Sequence, residues 1–120
     1  LMYAEAVARG GQGGSMATAV QYINALRQRA YGDTAHGVTE AWLTECNYRN
    51  IFDERCRELY WEGARRTDLV RYGLFTSANY LWTFKGGVLS GTGVSGRYNV
   101  FPIPTTDLSV NANLKQNEGY

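Results

Sequence analysis

The helical period of this chain stops at Gly73, and the residues beyond it cannot form one long helix. Before that point apolar residues recur at helical spacing. Ala19, Tyr22, Ile23, Leu26 and Ala30 follow i, i+3, i+4, i+7 and i+11 and form one face. Phe52, Cys56 and Leu59 repeat the pattern and lead to Gly63. After Leu74 the period is lost. The stretch 86–96 is dominated by Gly, Ser and Thr, and Pro102 and Pro104 forbid a helix around them. The expected class is therefore mainly α, with a loop-rich segment and a few short strands.

The element boundaries come from local chemistry. Residues 1–9 read as a helix rich in Ala, stopped by Gly10-Gly11-Gln12-Gly13-Gly14. Ser15 is an N-cap for a second helix over 16–30, where Arg27 and Arg29 suit the negative end of the dipole. The two helices make an antiparallel hairpin, the unit of tetratricopeptide-type repeats. A loop at 31–38 comes next, then a short turn capped by Thr39 that leads through Trp42 and Leu43. A third helix is expected over 45–62 and a short one over 65–72, closed by Gly73. A hairpin over 80–84 and a strand over 97–101 are the expected strands, and Thr106 or Asp107 opens a final turn. The last ten residues are polar and carry no helical stripe, so tertiary contacts must hold them if they are ordered.

A length of 120 residues suits one domain or part of one. The net charge is +1, with cations interleaved among carboxylates, so there is no electrostatic pull toward nucleic acid. Aromatics are 13% of the chain, nine of them Tyr, which permits sugar stacking without requiring it. No apolar run approaches the roughly 18–20 residues that span a bilayer. No basic leader followed by an apolar region is visible, which we read as truncation of a longer protein rather than a cytoplasmic address. Cys46 and Cys56 on one continuous helix would lie ~15 Å apart, beyond the ~7 Å limit of a disulfide. They are expected as free thiols in or beside the core.

Several constellations invite a chemical reading. Glu58 and Glu62, four apart, could be a glycosidase-like carboxylate pair. The alternating arginines favour an ion-pair network instead, because they would hold the carboxylates ionised. Asp53 and Glu54 face Arg57, and Glu62 faces Arg66, at helical spacings. Trp42, Trp61 and Trp82 are candidates for stacking on sugar. Trp61 is expected to pack against a neighbouring element. Trp82, beside Tyr80 and Phe84 in the Gly-rich region, is the best exposed candidate, and Trp82 and Tyr80 form the proposed ligand contact. The glycine run before Ser15 lacks the Gly-Lys-Ser/Thr ending of a phosphate loop. His36, the single histidine, has no metal-ligand spacing around it and reads as a solvated loop residue. No cofactor or metal is implied.

Three groups of residues together resemble one known family. They are Tyr22-Ile23-Asn24-Ala25-Leu26-Arg27 with the earlier Tyr3-Ala4-Glu5-Ala6; Glu54-Arg55, Glu58-Leu59, Glu62-Gly63, Arg65 and Asp68-Leu69-Val70-Arg71; and Phe101-Pro102-Ile103-Pro104 with Gln116-Asn117 and Gly119-Tyr120. In this order they resemble the C-terminal end of the SusD/RagB family. Arg66 stands where that family often has Trp, Ala112 and Glu118 where Pro is usual, and Asp107 where Glu is common. The resemblance implies a tetratricopeptide-like α-superhelix, divided here into a hairpin (1–30), signature helices (45–73) and a closing segment (74–120).

It also implies a non-catalytic, surface-exposed lipoprotein of the outer membrane. Such a protein captures glycan and passes it to a SusC-like TonB-dependent transporter. The glycan platform is expected upstream of these residues, and the membrane is reached only through an N-terminal lipid anchor. Glu54, Arg55, Glu58, Glu62, Arg65, Asp68 and Arg71 are expected as structural ion pairs, so that Arg65→Ala or Asp68→Ala damages folding rather than glycan affinity. The rivals are a helical-repeat module that binds protein, a protein that captures peptide rather than glycan, and a hydrolase using Glu58 and Glu62.

Overall fold

A computed structural model describes all of residues 1–120. The chain forms two compact units, Leu1–Arg65 and Arg66–Tyr120.

The first unit holds three helices: α1 (Met2–Ala8), α2 (Met16–Tyr31) and α3 (Glu40–Glu58). Ser15 caps α2, its Oγ accepting from the Thr18 N–H at 3.1 Å. The turn between α1 and α2 is tight: a Cβ on Gly11 would lie 2.7 Å from the Ala6 carbonyl oxygen. Gly32, in the left-handed conformation, ends α2. Ala4, Ala19, Ile23, Leu43 and Ile51 are fully buried together, with Tyr3, Val7, Val20, Val38 and Trp42 packed around them. Each buried Ile or Leu contributes roughly 1.5–3 kcal/mol. Of the expected α2 face, Ala19 and Ile23 reach this core. Tyr22 remains half exposed and meets the Tyr3 ring edge-on at 5.1 Å, and Ala30 is exposed.

α3 departs from the expected continuous helix over 45–62. It starts earlier, ends at Glu58, and is kinked. Cys46, Asn47 and Tyr48 all have φ between 54° and 63°, a left-handed turn inside a run that holds no Gly or Pro to announce it. The kink leaves Cys46 exposed rather than beside the core, while Cys56 is partly buried; both are free thiols. Trp61 lies in the turn after α3 and is 90% exposed, so it does not pack as expected.

The second unit contains most of α4 (Ala64–Arg71), which starts within the first, and α5 (Thr105–Val110). Neither expected strand forms: residues 80–84 are irregular and lead into a 3-10 turn, Lys85–Gly87, and a second 3-10 turn, Gly96–Asn99, covers the start of 97–101. The glycine density explains this. Backbone bonds run at irregular offsets (Lys85 N–H to Trp82 O, 3.0 Å; Thr92 N–H to Lys85 O, 3.0 Å; Val94 N–H to Thr76 O, 2.9 Å) and no ladder forms. No helix is long and apolar enough to cross a membrane.

The polar ending is held by side-chain amides. Gln116 donates to the Ile103 carbonyl at 2.9 Å and accepts from the Ile103 N–H at 2.8 Å. Asn117 donates to the Phe101 carbonyl at 2.7 Å. The Tyr120 hydroxyl donates to the Val100 carbonyl at 3.0 Å, and Arg97 donates to the Gly119 carbonyl at 2.6 Å.

Candidate ligand groove

Trp82 lines an open groove of about 470 Å³ within the second unit. Phe75, Tyr98, Phe101 and Tyr120 bring further rings to it, and Arg66 and Lys85 bring the cations. Trp82 is 38% exposed and Phe101 70%. The Phe75 ring lies 6.1 Å from Trp82 at 28°, a stacked pair. Tyr80 is 6.4 Å from Trp82, tilted at 54°. The two sequence candidates are therefore neighbours, but Tyr80 does not line the groove.

The groove residues that sequence reasoning misses come from far along the chain. Tyr98, Phe101 and Tyr120 join Trp82 only because the ending folds back, and an apolar period cannot signal that. Arg66 lies over the rings of Phe75 at 4.8 Å and Phe101 at 4.2 Å, and donates to the Tyr98 carbonyl at 2.9 Å. It takes up a position where the resemblance expects Trp, covering apolar surface with a planar cation.

Lys85 is another residue that the sequence does not single out. It is only 3% exposed, and lysine is rarely buried without partners. Its ammonium donates to the carbonyls of Leu74 (3.1 Å), Ser77 (2.5 Å) and Tyr80 (2.7 Å), and sits 4.5 Å from the Trp82 ring centre. Burial pushes its pKa below the usual lysine value. The three carbonyls and the ring face act the other way and satisfy all three donors. A lone charge buried without such partners would cost several kcal/mol, roughly what an unpaired buried ion loses in hydration.

The expected ion-pair residues lie elsewhere. The Glu54 carboxylate, 7% exposed as a residue, accepts from Arg27 at 2.8 Å and from Arg57 at 2.5 Å. Arg27 also donates to the His36 carbonyl at 2.6 Å. Glu58 pairs with Arg29. Both α2 arginines, which the sequence presents as complements of a helix dipole, thus bind carboxylates of α3. Arg65 reaches Asp53 at 3.8 Å, donates to the Phe52 carbonyl at 3.3 Å and lies 3.7 Å from the buried Phe52 ring centre. Asp68, 2% exposed, accepts from Arg71 at 2.8 Å. Arg55 is half-buried. Glu62 lies exposed in the turn past the end of α3. The i,i+4 relation that would make it a partner of Glu58 therefore does not exist, and the glycosidase-like geometry fails. His36 stacks on Tyr31 at 4.0 Å and pairs with Asp33 at 3.0 Å in the loop after α2.

The SusD family model matches residues 1–120, the whole chain. This chain belongs to the SusD family. It is 46% identical over its full length to the starch-binding protein SusD of Bacteroides thetaiotaomicron. It is 33% identical over 87% of its length to a SusD-like protein of Formosa agariphila. The chain spans 20% of the length of each of these relatives. Among solved structures it resembles surface glycan-binding protein A from Bacteroides thetaiotaomicron, with a TM-score of 0.69, 28% identity, and coverage of 96% of this chain and 22% of that one. The mainly helical, strand-free character of the chain agrees with the fold of that neighbour.

Proposed function

We propose that this SusD-family chain is the C-terminal part of a longer, non-catalytic protein that captures glycan at the outer membrane. An N-terminal lipid anchor outside these residues holds it there, and it passes oligosaccharide to a SusC-like TonB-dependent transporter. The observation that carries the reading is the 46% identity, over every residue of this chain, to a protein named for starch binding. That relative makes α-linked glucose chains the first ligand class to test. Most of the ligand surface lies upstream. Within these residues Trp82 is the ligand contact we propose, with Tyr80 beside it. Exposed rings in an open groove suit the apolar faces of pyranose sugars. Glu54, Arg55, Glu58, Glu62, Arg65, Asp68 and Arg71 serve as scaffold rather than as binding groups.

A second reading has one observation in its favour. Lys85 uses all three donors on backbone carbonyls and Arg66 directs one nitrogen to the Tyr98 carbonyl, which leaves the groove more apolar than its two cations suggest, as a peptide ligand would want. Calorimetric titration of the full-length protein with α-linked and β-linked glucose oligosaccharides separates the two. Heat with the α-linked series supports glucan capture. No heat with either sugar, and heat with a hydrophobic peptide, would replace glycan by peptide.

A further inference from the structure

Residues 74–82 hold three carbonyl oxygens in a bowl, and the bowl is filled by the ammonium of Lys85. Leu74, Ser77 and Tyr80 supply those oxygens from a segment with no regular secondary structure. Carbonyls that converge in this way repel one another unless a cation sits among them. Here the cation is tethered, and the same ammonium touches the face of Trp82 at 4.5 Å. Backbone oxygens and the ring are the groups that face the charge. The backbone of Lys85 is equally engaged: its N–H bonds to the Trp82 carbonyl and its carbonyl accepts from Thr92.

We propose that Lys85 is the positioning residue of the groove, an internal cation that organises residues 74–82 and sets the orientation of Trp82 toward the ligand. The part concerning ligand rests on the reading that Trp82 touches glycan; the part concerning orientation does not. Lys85 itself makes no ligand contact, since its three protons are taken. Removing the ammonium frees the carbonyls to separate and lets the indole turn. A methionine keeps the stem but removes the donors. An alanine leaves room for a soluble propylammonium ion, whose carbons and nitrogen replace the deleted atoms.

The test uses the full-length protein labelled with fluorotryptophan, with the Trp82 fluorine resonance assigned by Trp82→Phe. Lys85→Met is expected to displace that resonance. It should also weaken binding of an α-linked glucose oligosaccharide on the order of tenfold, the loss likewise expected of Trp82→Ala. In Lys85→Ala, propylammonium is expected to return the resonance, whereas tetramethylammonium, with no N–H to donate, is not. Should Lys85→Ala fail to fold, Lys85→Met carries the same readout. A Trp82 resonance in Lys85→Met that coincides with the parent's, or equal action of the two cations, would overturn the proposal. A displaced resonance with unchanged affinity in both Lys85→Met and Trp82→Ala would support the positioning role and overturn Trp82 as ligand contact.

Discussion

Gln116 closes on Ile103 with both ends of its amide, donating at 2.9 Å and accepting at 2.8 Å. Pro102 and Pro104 flank Ile103 and carry no N–H, so Ile103 is the one residue of that trio able to donate. Its amide therefore needs a partner, and Gln116 supplies it. The two closing motifs of the sequence, far apart in the chain, are one hydrogen-bonded structure. Gln116→Ala is expected to lower unfolding stability by about 1–3 kcal/mol, the range for leaving partly buried backbone groups unpaired. Gln116→Glu keeps an acceptor but loses the donor, so its loss should lie between parent and alanine. Denaturant unfolding measures both. An alanine variant as stable as the parent would show that the closing contact is idle.

Glu54 is the charge most exposed to loss of its partner. Arg27→Ala leaves a carboxylate with a side chain only 9% exposed facing Arg57 alone. The expected destabilisation approaches but does not exceed the ~3–5 kcal/mol of a fully broken buried pair, because Arg57 still compensates the carboxylate. Asp68→Ala should cost less, about 1–3 kcal/mol, because its partner Arg71 keeps 42% of its side chain in water. Neither change should alter ligand affinity once the protein is folded. A stable Asp68→Ala protein with lost binding would contradict the scaffold role.

Gly91 is a position where only glycine fits. Its φ is +78°, and a Cβ there would lie 2.6 Å from the Trp82 carbonyl oxygen. Gly91→Ala should cost about 1–3 kcal/mol from backbone strain alone, and should displace Trp82. Thermal unfolding, with intrinsic fluorescence as a second probe, detects both effects. An unchanged midpoint would mean that the loop gives way freely.

The Asp33 carboxyl is held below its ordinary pKa, first by the His36 side chain and then by the Ala35 N–H. A carboxylate whose folded pKa is depressed adds stability above its unfolded value, and that contribution is lost as pH falls through the folded one. Asp33 keeps 52% of its side chain in water, so the effect is local. In an NMR carboxyl titration Asp33 should titrate below the usual aspartate range, and His36→Ala should raise its midpoint. No movement on removing His36 would assign the shift to the backbone instead.

The helices are legible in the sequence because their chemistry is local. Ser15, Gly32 and Gly73 mark ends that need only their immediate neighbours. The kink in α3 is not legible: Cys46, Asn47 and Tyr48 adopt positive φ without any glycine to favour it. Arg27 reads as a dipole complement because Glu54, its partner, lies on another helix, and spacing along one helix cannot show such a pair. Trp82 and Tyr80 stand out as rings in a Gly-rich stretch. Lys85 does not, since its partners are backbone carbonyls, which every residue carries. The strands expected over 80–84 and 97–101 do not form, because the glycines between them favour tight turns over a backbone ladder.

Native affinity electrophoresis through gels containing starch tests most directly whether this chain belongs to a glycan-capturing protein. It also tests whether the ligand surface lies mostly upstream, with Trp82 contributing from within these residues. The full-length protein, its Trp82→Ala variant and the 120-residue chain run side by side. We predict strong retardation of the full-length protein, weaker retardation of the variant, and little for the chain alone. Full-length protein that migrates as freely with starch as without it, while a peptide ligand slows it, would contradict glycan capture.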